Sequence, residues 1–228
     1  MSNAPVATAY THDFVRSALP PGTRRILEIG CGNGELARRL MDDGFEVVAI
    51  DSDRTCVEEA MAAHVDARLM DWPANVDGAF DAVLFTRSLH HIDPLDKAVE
   101  AASAAVRSGG RIIVEDFQAE GGSERSSAWF AQLLRSLRED QKVSDVDALI
   151  ARIAPDDHGH VLHSSSAIAE ALARRGTVQQ RDAAYYFRYL EAELGEAATC
   201  ELLETEVTLI ESEAIDALGK RFVLLPRG

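Results

Sequence analysis

The sequence predicts a doubly wound α/β domain built on a mostly parallel sheet. Three observations predict it. Short Val/Ile/Leu runs alternate with helical patterns up to about residue 118, as expected of parallel strands covered on both faces. A glycine-rich turn, Gly30-Cys31-Gly32-Asn33-Gly34, joins the first such run to the first helical pattern after it. The chain has 228 residues, 46% of them hydrophobic and 27% charged, which suffices for one core without disulfides or metals.

The elements follow in order. Residues 24–30 (RRILEIG) read as a strand, and 35–42 (ELARRLMD) as a helix with Leu36, Ala37, Leu40 and Met41 on one face, ended by Gly44. Residues 45–50 form a second strand, 54–63 a helix, 66–70 a short third strand and 80–85 (FDAVLF) a fourth. Pro94 opens a helix to about Val106, with Asp93 as N-cap and Gly109-Gly110 as its stop, before a fifth strand at 111–115. Beyond residue 118, helical patterns cover 126–138, 143–153 and 167–174. Residues 177–189 read as a strand that presents Tyr185 and Phe187 on one face, with Tyr186 and Tyr189 placed less cleanly. Residues 191–216 read as a helix with nine acids and no Lys or Arg, its charge on a solvated face. Residues 221–225 form a last strand, and the two final strands close the sheet edge as an antiparallel pair.

The net charge is −15, and neither half is basic: residues 1–118 carry 11 Lys/Arg against 19 Asp/Glu, and residues 119–228 carry 12 against 19. Phosphate neutralisation drives nucleic-acid binding, so this balance argues against a nucleic-acid partner and against an anionic membrane surface. Three widely spaced cysteines, Cys31, Cys56 and Cys200, fit a reducing, cytoplasmic compartment and not a disulfide or zinc module. No apolar run approaches the roughly 20 residues of a membrane span, and Met-Ser-Asn-Ala-Pro does not read as a signal peptide.

In open α/β sheets ligands bind beyond the carboxyl ends of the strands. Glycines after the first strand let the backbone turn sharply and approach a ligand. Asp51, 21 residues beyond Gly30, ends the second strand, where an acid accepts hydrogen bonds from ribose hydroxyls. A dinucleotide fingerprint needs a small third residue, and here that register holds Glu35, so the nicotinamide reading is disfavoured. No Lys-Ser/Thr follows the loop, so it is not a P-loop.

With these residues in place the chain resembles the class I S-adenosylmethionine (SAM)-dependent methyltransferases. ILEIGCGNGELARRL is similar to their first motif, VVAIDSD to the second and ARLMDWP to the third, while FDAVLFTRSLHHI and RSGGRIIVEDF resemble the fourth- and fifth-strand motifs. The resemblance covers residues 22–118. It implies a single domain over 1–228, a Rossmann-like three-layer sandwich with a seven-stranded sheet whose last strand is antiparallel. In it, 22–118 is the cofactor half and 119–228 the substrate-side half. It also implies roles. Gly30, Gly32 and Gly34 would line the methionine portion of SAM, and Glu28 would meet its ammonium. Asp51, with Ser52 beside it, would bind the ribose. Asp71 would accept from the adenine amino group, Trp72 would offer its backbone or pack on the ring, and the Thr86 backbone would contact the amine. The product would be S-adenosylhomocysteine (SAH).

Methyl transfer is an in-line displacement that needs positioning first, and a base only if the nucleophile must lose a proton. His90 and His91 after the fourth strand, and Glu115 with Asp116 at the end of the fifth, are the candidates to face substrate. Tyr10 and His12 lie in a segment expected to fold over the cofactor. His158, His160 and His163 read as a polar loop above the site, with no metal assigned to them. The expected acceptor is a small molecule. The alternatives are a protein methyltransferase, or a SAM-binding regulator or partner subunit without methyl transfer.

Overall fold

The computed structural model describes residues 5–74, 76, 79–118, 121–140, 143, 149 and 163–227. Seven strands form one sheet in the order β3-β2-β1-β4-β5-β7-β6. They are β1 (Arg25–Ile29), β2 (Glu46–Asp51), β3 (Asp66–Leu69), β4 (Phe80–Thr86), β5 (Val106–Phe117), β6 (Gly176–Ala183) and β7 (Gly219–Pro226). The pairs β1–β2, β2–β3, β1–β4 and β4–β5 are parallel, and β7 runs antiparallel to both β5 and β6.

Period-2 alternation divides the core between the two faces. Leu27, Ile29, Val83 and Phe85 point to one side, where they pack with Val99 and Ala102 of α4 (Leu95–Ala105) and with Ile168 and Leu172 of the helix Ser165–Ala173, here α6. Ile26, Ala82 and Leu84 point to the other, onto α1 (Val6–Ala18), α2 (Glu35–Asp42) and α3 (Arg54–Ala62). The third layer of the expected sandwich is therefore present. A separate cluster joins Phe130 and Leu134 of α5 (Glu124–Glu139) to Tyr186, Phe187 and Leu202.

Polar side chains fix the joints. Asp53 caps α3 by accepting from Thr55 N at 2.7 Å, and Ser164 caps α6 by accepting from Ala167 N at 3.1 Å. Buried Asp81 accepts from the amides of Arg24 and Arg25 at 2.6 and 2.9 Å, which ties the entry of β1 to β4.

Four expectations are corrected. Asp93 does not cap α4; Pro94 holds the cap position, with no side-chain bond. Gly109-Gly110 do not stop that helix, which ends at Ala105; they lie within β5. A Cβ on Gly110 would come within 2.7 Å of Asp81 O, so β4 approaches too closely for a side chain there. The strand expected through residue 189 ends at Ala183, and Tyr186–Tyr189 form a 3-10 turn. Its cause is Glu206, whose buried carboxylate accepts from the amides of Tyr185, Tyr186 and Phe187 at 2.6, 3.0 and 3.0 Å. The acidic helix is two, α7 (Glu191–Leu194) and α8 (Glu196–Glu211), separated at Gly195. The helix expected at 143–153 lies, apart from Val143 and Leu149, outside the described residues.

Candidate functional site

A cavity of about 660 Å³ opens at the carboxyl ends of β1, β2 and β4. Glu28, Gly30, Gly32, Asp51, Ser52, Asp71, Trp72, Thr86 and His91 all line it. Thr8 and Thr11 of α1 form part of its wall.

The turn after β1 is held from two sides. The amides of Gly30 and Cys31 donate to Ile50 O at 2.8 and 3.1 Å, which clamps the turn to the end of β2. Gly30 has φ 74°, and a Cβ there would collide with Ser88, whose hydroxyl donates to Ile29 O at 2.6 Å. Gly32 faces open space. Its amide donates to Asp51 Oδ2 at 2.8 Å, while Asp51 Oδ1 accepts from Asp53 N at 2.9 Å. Both carboxylate oxygens are thus oriented by backbone and keep lone pairs for a ligand.

Gly34 stands apart from the other two glycines. It does not line the cavity. It begins α2 with φ 79°, and a Cβ there would lie 2.8 Å from the Ala60 Cβ. Close packing of α2 against α3 explains this glycine.

Glu28 is fully buried on the β1 face that looks toward α2. Its Oε1 accepts from the Thr86 hydroxyl at 3.3 Å, and among the described residues its Oε2 has no hydrogen-bond partner. Desolvation raises its pKa to about 8, against the opposing pull of Thr86 and Arg87. Burial thus favours the protonated form of this carboxyl at the cavity floor. Trp72 is a wall of the site and also part of the core: its Nε1 donates to Ala98 O at 3.0 Å and its ring meets Phe85 edge-on.

The candidate catalytic residues separate. His91 is exposed and lines the cavity. His90 is buried and does not; its Nδ1 lies 2.6 Å from Asp116 Oδ1, outside hydrogen-bond alignment, and its ring packs on Phe117. Glu115, expected at the cleft, does not line it either. It is 2% exposed and bound by Thr11 at 2.5 Å, Arg188 at 2.7 Å and Arg221 at 2.6 Å. Burial alone would raise its pKa, but the two guanidinium groups outweigh burial and hold the carboxyl below the usual range. A carboxylate so committed is a poor base. This cluster was not legible in sequence, because Arg188 and Arg221 stand 73 and 106 positions away from Glu115.

His12 points away from the cavity, to Asp43 of the α2 C-cap at 2.6 Å, and pins α1 onto α2. Tyr10 packs edge-on against Phe187 and beneath Arg221. His158 and His160 lie outside the described residues. His163 N donates to His90 O at 2.9 Å and its Nε2 lies 3.2 Å from Ile92 O, so it braces the 3-10 turn Leu89–His91. No described helix is long and apolar enough to cross a membrane.

Comparison with known proteins agrees with this geometry. The methyltransferase-domain family matches residues 6–179. An uncharacterized methyltransferase of Mycobacterium tuberculosis is 31% identical over 108 residues, 46% of this chain and 44% of that protein. A ubiquinone biosynthesis O-methyltransferase of Xanthomonas axonopodis pv. citri is 29% identical over 111 residues, 45% of this chain and 46% of that protein. The chain thus spans about half the length of these curated relatives. Among solved structures, a SAM-dependent methyltransferase from Archaeoglobus fulgidus superposes with a TM-score of 0.59 at 13% identity, over 96% of this chain and 92% of that one. The sheet order, the strand-end cavity and the family match converge: the chain belongs to the methyltransferase-domain family and has the fold of the class I SAM-dependent methyltransferases.

Proposed function

We propose that the chain transfers a methyl group from SAM to a small-molecule acceptor by direct displacement. The observation that carries this reading is the pairing of Glu28 and Asp51 across the glycine turn. One is a buried carboxyl with an orphan oxygen, the other a carboxylate oriented by two backbone amides. An orphan acid in a closed floor suits an ammonium group, and an oriented acid at the end of β2 suits a ribose diol. The open space over Gly32 admits the chain between them. When bound, SAM supplies an electrophilic methyl group on a sulfonium.

The residues of this chain then have distinct tasks. Asp51, flanked by Ser52, accepts from the ribose hydroxyls. Asp71 lies beyond β3 on the cavity rim, where it meets the adenine amino group, with Trp72 as the adjoining wall. Glu28 ionises against the ammonium, and the Thr86 backbone faces it. Thr8 and Thr11 hold α1 against the opening and reduce water access, which favours one in-line geometry. Where the nucleophile must lose a proton, His91 is the side chain in position to take it.

Calorimetric titration with SAH tests the assignment. Saturable binding by the intact protein that is lost in Asp51→Ala combined with Gly32→Val is expected. Absence of binding by the intact protein refutes it.

A further inference from the structure

Beside the cavity, arginines from three distant parts of the chain gather at one buried acid. Three guanidinium groups, those of Arg87, Arg188 and Arg221, surround the single carboxylate of Glu115. Arg188 and Arg221 hold it at 2.7 and 2.6 Å, and both are nearly buried, at 9% and 12% exposed. Asp116, the next acid along, is turned to the other side, where it meets His90 and the Phe117 amide. Arg87 is left as the outer member. Its side chain is 38% exposed and lines the cavity next to Thr86 and His91. Among the described residues its hydrogen-bond partners are met by Nη1 alone, Thr11 Oγ1 at 3.4 Å and Glu115 Oε1 at 3.5 Å, both at the outer limit of hydrogen bonding. Behind it, the Nε of Arg188 is buried with no hydrogen-bond partner among the described residues. A guanidinium held only loosely at a cavity wall is suited to an incoming anion.

We propose that the methyl acceptor carries an anionic group, a carboxylate or a phosphate, and that Arg87 binds it. This rests on the methyl-transfer reading above. A planar guanidinium fork whose Nε and Nη2 make no hydrogen bond among the described residues matches either anion in a bidentate pair. Arg188 and Arg221 act as positioning residues: they saturate Glu115, so Arg87 is not drawn into a tight internal pair. Tyr185 packs against Phe117 and lies under Arg188, 5.4 Å from its ring centroid, which helps to hold that guanidinium in place.

The test begins with SAH binding to wild-type protein, whose absence removes the methyl-transfer reading itself. A metabolite extract is then separated by ion exchange into anionic, neutral and cationic pools before reaction. Each pool is incubated with methyl-labelled SAM and the protein. Label is expected from the anionic pool. Arg87→Gln should lower it at least about tenfold, since a charge-assisted pair is lost, with partial recovery in Arg87→Lys and SAH affinity held within about twofold of wild type. Treating the pool with phosphatase assigns the anion: loss of label identifies a phosphate ester, and retention identifies a carboxylate. SAH binding with label only from the neutral or cationic pools, or from none, overturns the proposal. So does a tenfold loss of SAH affinity in Arg87→Gln, which would give this guanidinium to the cofactor's own carboxylate.

Discussion

Replacing Glu115 by Gln removes the carboxylate that Arg188 and Arg221 share. Both guanidinium groups are nearly buried, and Thr11 also loses its charged acceptor. Breaking a buried pair from one side costs about 3–5 kcal/mol, because the remaining charges stay desolvated. For a domain of this size that corresponds to a melting temperature lower by roughly 6–20 °C. Urea unfolding followed by circular dichroism at pH 7 measures it. Glu100→Gln, which breaks surface pairs with Lys97 and Arg175, serves as control and should stay within about 1 kcal/mol. The folded pKa of Glu115 is lowered from 4.5, so its contribution is present above 4.5 and is lost as pH falls through the folded value. Adding Arg188→Met to Glu115→Gln should recover part of the loss, because one orphan cation is gone. A destabilisation under about 1 kcal/mol, with turnover abolished, would refute the structural reading and restore Glu115 as a reacting group.

Three further outcomes follow from the site. Gly34→Ala should destabilise the fold by about 2–4 kcal/mol through a left-handed backbone and the 2.8 Å approach to Ala60, and a neutral result in denaturation would show that α2 and α3 separate readily. Asp51→Ala should weaken SAH by about 10–100-fold in calorimetry, since a charged acceptor and the support of the Gly32 amide both go. Glu28, raised by burial from 4.5 to about 8, keeps a proton in the folded state that the unfolded chain has released. Wild-type stability should therefore fall as pH rises from 4.5 to 8, and Glu28→Gln should flatten that slope in pH-dependent unfolding. A parallel slope in the variant would assign the effect elsewhere.

The first half of the fold was legible because its signals are local. The helix at Glu35–Asp42 agrees with its expected bounds, and the strand-end positions of Glu28, Asp51 and Thr86 follow from alternation within single runs. What was not legible depends on partners distant in sequence. Nothing near Tyr185 announces that Glu206 will take its amide and end β6. Glu115 reads as a strand-end acid like Asp51, and only the return of Arg188 and Arg221 from the last third of the chain changes its task. His90 and His91 are neighbours with the same chemistry, yet a 3-10 turn buries one and exposes the other. Gly34 reads as a third loop glycine, whereas contact with Ala60 is a property of the packed helices.

The insertion of β7 between β5 and β6 has a consequence for synthesis. The chain lays down β5 at Val106–Phe117 and β6 at Gly176–Ala183, but the strand that bridges them is Gly219–Pro226. Until it leaves the ribosome, the edge of β5 is bare and β6 has no neighbour. The first five strands can pair meanwhile, since β1 to β4 pair among themselves and with β5. A nascent chain halted before Gly219 therefore carries an open sheet edge on β5, the kind of surface that recruits chaperones or another copy of itself.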